Sequence, residues 1–150
     1  VICRCGKRGC LETGASGSAV HRIFMEKLAQ KRVSILSDKY NRGEQILLED
    51  ILEALGQEDV LAIEVMETVG HTLGKAMAGL INLFNPDLIV LGGTLAVAKD
   101  YIMLPLKSAI NKYSLQLVNK DTTIKLSKLG EKAGAVGACM LSRSKMLGLM

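Results

Sequence analysis

Three cysteines near the start of the chain carry the clearest chemical signal. Cys3, Cys5 and Cys10 lie in the run CRCGKRGC, where Gly6 and Gly9 allow the backbone to fold around one point. Thiolates at this spacing can converge on a tetrahedral zinc ion, which needs a fourth ligand. The alternative is three buried or oxidisable thiols without a metal. A disulfide between Cys3 and Cys5 would be badly strained, and the spacing therefore favours zinc.

Two histidines and a fourth cysteine lie apart from this cluster. His21 follows Cys10 by eleven residues and His71 falls within a long predicted helix, so packing or surface roles suit both better than zinc binding. Cys139 stands alone in an apolar stretch and is expected in the core. Nothing in the sequence suggests secretion, and we interpret the cysteine cluster as a metal knuckle of a cytosolic protein.

The composition is that of an ordinary globular protein. The 150 residues are 49% apolar and 23% charged, which suits one domain or part of a larger one. The net charge of +4 comes from scattered basic residues, and this favours a solvated surface over a nucleic-acid footprint. No run of about 18 apolar residues occurs, so no membrane helix is expected. The chain starts at Val1 and not at a methionine, and residues 1–9 do not resemble a signal peptide, so we expect a segment cut from inside a longer protein.

The spacing of apolar residues predicts a mainly helical scaffold for these groups. A first helix should begin near Ser16 or Ser18, either of which can cap it, and run to about Lys31. A short second helix is predicted over Leu47–Leu55 and should be closed by Gly56. The polar segment between these two helices is expected to be an irregular surface connection.

The longest predicted helix begins around Glu58-Asp59 and ends at Asn85-Pro86, because a residue before proline avoids the helical region. Gly70, Gly74 and Ala78 repeat every four residues on one face, which should let a second helix come close. Mid-helix glycine costs about 1 kcal/mol relative to alanine, so two of them indicate a packing requirement. Another face carries a stripe expected in the core, made of Met66, Val69, Leu73, Met77, Leu80 and Phe84.

Two short strands are predicted in the second half of the chain. Leu88–Leu91 should be a buried strand that enters a tight turn at Gly92-Gly93. Thr122–Ser127 alternates as a second strand, with Ile124 and Leu126 facing inward. Two strands are too few for a stable sheet among this many helices, so further strands are expected upstream or in a partner.

Helices are predicted on both sides of the second strand. Ile102–Tyr113 should be one helix, with Pro105 in its first turn. Ala133–Met146 should be a closing helix, in which Gly134 and Gly137 allow close packing. The predicted order is α-α-α-β-α-β-α, which is an α/β class.

Three segments together resemble a known family. The run Cys3–Glu12, followed by Ser16, resembles the C-x-C-G-x-x-G-C-L-E signature of the ROK family (repressors, open reading frames and sugar kinases). Asn82–Gly93 resembles a second landmark of that family, a helix end, an Asn-Pro turn, a strand and a Gly-Gly pair. Lys132–Ala138 is similar to its closing segment.

The resemblance implies a fold and a place within it. ROK proteins have a two-lobed, actin-like (ribonuclease-H-like) sugar kinase fold, with helices around a small sheet in this part. Residues 1–150 are expected to be the C-terminal ROK lobe of a longer chain, with the N-terminal lobe and any helix-turn-helix outside the segment. The kinase catalytic aspartate and first phosphate loop would also lie outside it, so no catalytic residue is expected here.

The resemblance also implies roles for particular residues. The three cysteines of the cluster would bind structural zinc together with an upstream histidine. Glu12 would bind sugar hydroxyls, and its alternative is a solvated carboxylate. Gly92 and Gly93 would lie beside the adenosine of ATP in a kinase, with Mg²⁺ as the accompanying ion; in a repressor they would be only a strand-to-helix turn.

The leading interpretation is a sugar-responsive ROK-type transcriptional repressor and not an enzyme. It would bind a sugar or phosphosugar effector, reach DNA through an upstream domain, form a homo-oligomer, and work in the cytoplasm without contact with a membrane. The alternative is a ROK sugar kinase that phosphorylates glucose, N-acetylglucosamine or a similar hexose with ATP. Residues 111–127 and 139–148 look more like the repressor branch, whereas the Gly92-Gly93 pair favours the kinase.

Overall fold

A computed structural model describes residues 1–148 of the chain. The elements follow the predicted mixed α/β order, with short helices added in the connections. Three short 3-10 helices lie at Leu11–Thr13, Thr94–Ala98 and Gly130–Lys132. The regular elements are α1 (Gly17–Ala29), α2 (Ser37–Asn41), α3 (Leu48–Gly56), α4 (Val60–Phe84), β1 (Leu88–Leu91), α5 (Asp100–Tyr113), α6 (Gln116–Asn119), β2 (Thr123–Leu126) and α7 (Ala133–Met146).

Helix α1 forms as the sequence predicts. The Ser16 hydroxyl accepts a hydrogen bond from the Ala19 N–H at 3.1 Å and so caps the first turn. Val20, Phe24 and Leu28 are spaced on one face and are buried in the core. The helix is therefore held by its cap at one end and by apolar packing along its length.

The connections around α3 differ from the prediction. The segment expected to be irregular contains α2, and α3 continues through Gly56 instead of being closed by it. The chain turns two residues later at Glu58, which takes a left-handed φ of 60°. The position of the turn is set by the start of α4, because the buried Asp59 must cap that helix.

Asp59 joins α4 to the connection before α2. One carboxylate oxygen accepts a hydrogen bond from the Ala62 N–H at 2.8 Å, and the other accepts one from the Ile35 N–H at 2.8 Å. The residue is only 6% exposed. Helix α4 then runs for 25 residues and ends at Asn85, whose φ of 41° is left-handed, so both predicted ends are confirmed.

The predicted apolar stripe of α4 is correct for most of its length and wrong at its end. Met66, Val69, Leu73 and Met77 are buried, whereas Leu80 is 51% exposed and Phe84 is 74% exposed. The reason is that the buried face near the end of α4 passes through Ala78 and Ile81, and Leu80 and Phe84 lie on the flank beside it.

Helix α5 packs along the small residues of α4, which confirms the predicted groove. A Cβ added at Gly74 would overlap the Leu106 carbonyl oxygen and lie 2.8 Å from the Ala109 Cβ. A Cβ added at Gly70 would lie 2.7 Å from the Pro105 Cγ. Helix α5 begins at Asp100, earlier than predicted, so Pro105 lies inside the helix and not in its first turn.

Strands β1 and β2 form a parallel pair, with Leu88 opposite Thr123 and Leu91 opposite Leu126. The inward face carries Ile89, Leu91, Ile124 and Leu126, which pack against the core, as predicted for Ile124 and Leu126. The expectation that β1 is fully buried is wrong, because Leu88 is 50% exposed and Val90 is 56% exposed on the other face. This face of the pair is uncovered within the described residues.

The bounds of α7 are confirmed, but its packing is not. No residue of α7 is buried within the described chain, and a Cβ added at Gly134 or Gly137 would meet nothing within 4 Å. Cys139 is exposed, so its expected place in the core is wrong. The apolar residues of α7 predicted the helix correctly. Burial of its apolar side chains requires a packing partner, and the described chain supplies none. In residues 1–148, no helix is both long and apolar enough to cross a lipid bilayer.

Candidate zinc and sugar-binding site

The first ten residues fold into a small hairpin that gathers the cysteines. Ile2 and Arg8 form an isolated antiparallel bridge. Inside it, the Cys3 N–H donates to the Lys7 carbonyl and the Gly6 N–H donates to the Cys3 carbonyl, both at 2.8 Å. Gly6, with a φ of 83°, makes the left-handed turn that this hairpin requires.

The hairpin brings the three predicted ligands together. The sulfur atoms of Cys3, Cys5 and Cys10 all lie within 4.8 Å of one another, and those of Cys5 and Cys10 are 3.5 Å apart. Tetrahedral zinc with Zn–S bonds of about 2.3 Å holds its sulfur ligands about 3.8 Å apart. The donor set and its spacing therefore fit zinc, which when bound would supply a structural cross-link of this loop.

Hydrogen bonding makes the thiols unequal. The pKa of the Cys5 thiol is lowered, first by the backbone N–H of Lys7 and then by the neighbouring thiols of Cys10 and Cys3. The pKa of the Cys10 thiol is raised, chiefly by its hydrogen bond with Cys5. Cys5 is thus the thiol of this pair that ionises first, and a metal ligand must be ionised to bind.

Glu12 lies on a single 3-10 turn that starts from the last cysteine. The Thr13 N–H and hydroxyl both donate to the Cys10 carbonyl, at 3.1 and 2.7 Å. The Ser16 hydroxyl donates to the Glu12 carbonyl at 2.7 Å. The backbone on both sides of Glu12 is therefore fixed, and its exposed carboxylate is placed by the same turn that positions a metal ligand.

A shallow cleft of about 200 Å³ adjoins this turn and is lined by Glu12, Ser18 and Arg22 among others. The Ser18 hydroxyl donates to the Glu12 carboxylate at 3.4 Å. Arg22 donates to the Thr13 carbonyl at 2.9 Å and pairs with Glu26 at 2.8 Å. Ser18 and Arg22 were not predicted as lining residues. Their spacing of four on α1 was the available signal, because it places both on one helical face.

The Gly92-Gly93 pair lies elsewhere, at the end of β1. Gly93 has a φ of 85° and a ψ of −177°, a conformation that residues other than glycine rarely adopt. Both glycines are exposed, and neither lines the cleft beside Glu12. The strand-to-turn geometry is as predicted, and the backbone here is open to a ligand.

The two histidines stay apart from the thiols. His21 makes a hydrogen bond of 2.8 Å between its Nε2 and the Ile46 carbonyl, which joins α1 to the start of α3. His71 packs edge-on against Tyr113, with ring centroids 5.6 Å apart. In the described chain the group of possible metal ligands at the hairpin consists of the three cysteines alone.

A family model described as the ROK family matches residues 1–145. The chain belongs to the ROK family. It is 33% identical over 143 residues to a glucokinase of Halalkalibacterium halodurans, covering 95% of this chain and 43% of that protein. It is 34% identical over 148 residues to the DNA-binding transcriptional dual regulator NagC of Escherichia coli, covering 97% of this chain and 34% of that protein.

The fold of this ROK chain is shared with solved members. It aligns to a ROK family glucokinase from Streptomyces griseus, solved in complex with glucose and AMPPNP, with a TM-score of 0.81 and 27% identity. That alignment covers 96% of this chain and 47% of the other. The expected fold class, the actin-like sugar kinase type with helices around a small sheet, is confirmed. This ROK chain spans less than half the length of these relatives, which include glucokinases and a DNA-binding transcriptional regulator.

Proposed function

We propose that this ROK protein binds a sugar or phosphosugar with Glu12, in the cleft beside a zinc ion held by Cys3, Cys5 and Cys10. The observation that carries the proposal is the fixed turn on which Glu12 lies, two residues after Cys10. An ionised carboxylate can accept hydrogen bonds from two adjacent sugar hydroxyls, and such charge-assisted bonds are the stronger kind. Zinc would stiffen the Cys10 end of the turn and so keep the carboxylate in place.

The function that this sugar site serves is transcriptional regulation. The chain is the C-terminal lobe of a cytoplasmic repressor, and its effector alters DNA binding by a domain outside residues 1–150. Similarity to NagC over 97% of the chain supports this assignment. The protein works as a homo-oligomer, and exposed apolar side chains such as Leu83 and Phe84 support this part of the proposal.

A sugar kinase is the second candidate, and the Gly92-Gly93 turn favours it. An exposed backbone in a conformation reserved for glycine suits close approach of a nucleotide. In this case ATP and Mg²⁺ would be the co-substrate and its ion, with the two glycines on the adenosine side. The similarity to a glucokinase over 95% of the chain supports this alternative.

Sugar titration calorimetry tests the shared part of both candidates. Glucose, N-acetylglucosamine and its 6-phosphate are titrated into the purified protein, and Glu12→Ala should weaken binding by about tenfold to a hundredfold, since a bond to a charged group contributes about 1.5–3 kcal/mol. The matched control is Glu53→Ala, which removes an exposed carboxylate from α3 and should leave the affinity unchanged. Equal affinities of the wild type and Glu12→Ala would refute the assignment of Glu12.

Two further measurements separate repressor from kinase. Sugar-dependent release of DNA from the gene's own promoter region, followed by fluorescence anisotropy, is expected of the repressor. Sugar phosphorylation with ATP in a coupled assay would instead establish the kinase. AMPPNP affinity should then fall in Gly93→Ala, because a side chain is strained at its φ of 85°, but not in Gly134→Ala, where the backbone is helical. Light scattering that shows only monomer at micromolar concentration would exclude the oligomer.

A further inference from the structure

Cys5 and Cys10 are placed for a reaction with each other as well as with a metal. Their sulfur atoms are 3.5 Å apart, and Cys5 is exposed at the tip of the hairpin. We propose that this pair is an oxidation-sensitive site: a low-molecular-weight disulfide such as glutathione disulfide converts it to a Cys5–Cys10 disulfide, with release of the zinc. This modification is independent of which sugar the protein binds.

The backbone around the pair allows the bond to form. A disulfide holds its sulfur atoms about 2.05 Å apart, so the two sulfurs must approach by about 1.5 Å. Gly6 and Gly9 flank the segment with φ values of 83° and 80°, and a Cβ at either would meet nothing within 4 Å. Both bends of the loop between the cysteines are therefore glycines with open space beside them, which favours the torsional changes that bring the two sulfurs together.

Cys3 is the less suitable member of the cluster. It is held in the hairpin by two backbone hydrogen bonds of 2.8 Å, one from its own N–H and one to its carbonyl, and it is half-buried like Cys10, whereas Cys5 is exposed. A bond from Cys3 to Cys5 would close a strained ring across a single residue. Cys5 is thus the thiol that an outside reagent meets first, and Cys10 is the thiol that resolves the product.

The reaction balances in two exchanges. The Cys5 thiolate attacks one sulfur of the small disulfide, whose S–S bond breaks and releases one thiolate that takes up a proton. The Cys10 thiolate then attacks the Cys5 sulfur of the mixed disulfide and displaces the second small thiolate. Two cysteine thiols have been oxidised by two electrons and one small disulfide has been reduced to two thiols. Zinc loses two of its three thiolate ligands from this chain and leaves as Zn²⁺.

The experiment exposes the zinc-loaded, purified protein to glutathione disulfide at rising concentration. Released zinc is measured with a colorimetric chelator, and the cysteine linkage is mapped by peptide mass spectrometry without reduction. The expected result is one Cys5–Cys10 link for each zinc released, and recovery of zinc binding after reduction and addition of zinc. Zinc release without this link, or a dominant link through Cys3, would overturn the proposal.

Single serine variants provide the controls. Cys3→Ser should still form the Cys5–Cys10 link, whereas Cys10→Ser should stop at the mixed disulfide on Cys5. Cys139→Ser removes the exposed thiol of α7 and should leave the reaction unchanged. Mapping of the cysteine linkage by mass spectrometry identifies the product in these variants even when they bind zinc weakly. Any loss of sugar affinity on oxidation rests on the proposed function and is measured separately by calorimetry. A protein that binds no sugar would therefore still test the formation of the Cys5–Cys10 disulfide.

Discussion

The contact between α4 and α5 can be tested with two glycines of one helix. Gly74 is buried, and an added Cβ would overlap the Leu106 carbonyl oxygen and come within 2.8 Å of the Ala109 Cβ. Gly79 lies in the same helix and is exposed, and an added Cβ there meets nothing within 4 Å. Gly74→Ala and Gly79→Ala therefore change helix propensity equally and differ only in what the new methyl group meets.

The expected magnitudes follow from this comparison. Replacing a mid-helix glycine by alanine stabilises a helix by about 1 kcal/mol, and Gly79→Ala should show this gain. In Gly74→Ala the same gain is set against an overpacking cost of about 1–3 kcal/mol, because the obstructing atoms include backbone that cannot move without shifting α5. The two variants should thus differ in free energy of unfolding by about 1–3 kcal/mol, with Gly74→Ala the less stable.

Thermal unfolding followed by circular dichroism measures the difference. For a domain of this size 1 kcal/mol corresponds to about 2–4 °C, so the two melting temperatures should be separated by about 2–12 °C. Denaturant unfolding supplies the free energies and shows whether the transition stays cooperative. Equal melting temperatures for the two variants would refute the close packing of α5 against Gly74.

Three other predictions concern stability. Asp59→Ala removes a helix cap and leaves a second N–H without its acceptor, so it should cost about 2–4 kcal/mol in denaturant unfolding, while Glu67→Ala on the exposed side of the same helix should change little. The pKa of Asp50 is lowered, first by the Leu47 N–H and then by Lys39. Its contribution is therefore present above the unfolded pKa and lost as the pH falls through the folded one: wild type should exceed Asp50→Ala in melting temperature at pH 7, and the gap should narrow from about pH 4 downward and close once the pH is below the folded pKa. Chelation of zinc should lower the melting temperature and added zinc, but not magnesium, should restore it; an unchanged melting curve would exclude structural zinc.

The cluster of three cysteines could be predicted from the sequence because all the residues that form it are close together in the chain. Cys3, Cys5 and Cys10 span eight residues, and the two glycines between them permit the left-handed turns that fold the chain around one point. The same holds for Glu12, which follows the last thiol by two residues. Ser18 was missed because its relation to Glu12 depends on the angle at which the chain enters α1, and spacing alone does not determine that angle.

Long-range packing was predictable only in outline. The repeat of Gly70 and Gly74 showed that some helix must lie close, but not that its contacting residues would be Leu106 and Ala109. The apolar pattern of α7 gave its bounds and not its burial, because helical periodicity reports an apolar face whether or not a partner covers it. The same reasoning explains why the core was expected to include Leu80 and Phe84. Apolar residues spaced three or four apart gradually move around a long helix, and only those that face a neighbouring element are buried.

The separation between local site and long-range scaffold has a consequence for variants. The Glu12 turn is built from hydrogen bonds within residues 10–22, whereas α1 is joined to α4 by core packing and by the Lys27–Glu64 ion pair of 2.8 Å. A substitution in the α4–α5 contact, such as Gly74→Ala, should lower the stability of the whole fold but leave the sugar affinity of the folded protein unchanged. Cys10→Ser acts inside the turn itself and should lower both, because it removes a zinc ligand and loosens the backbone that carries the carboxylate. Calorimetry well below each variant's melting temperature distinguishes the two: a weakened sugar affinity in fully folded Gly74→Ala would mean that the site depends on the α4–α5 packing after all.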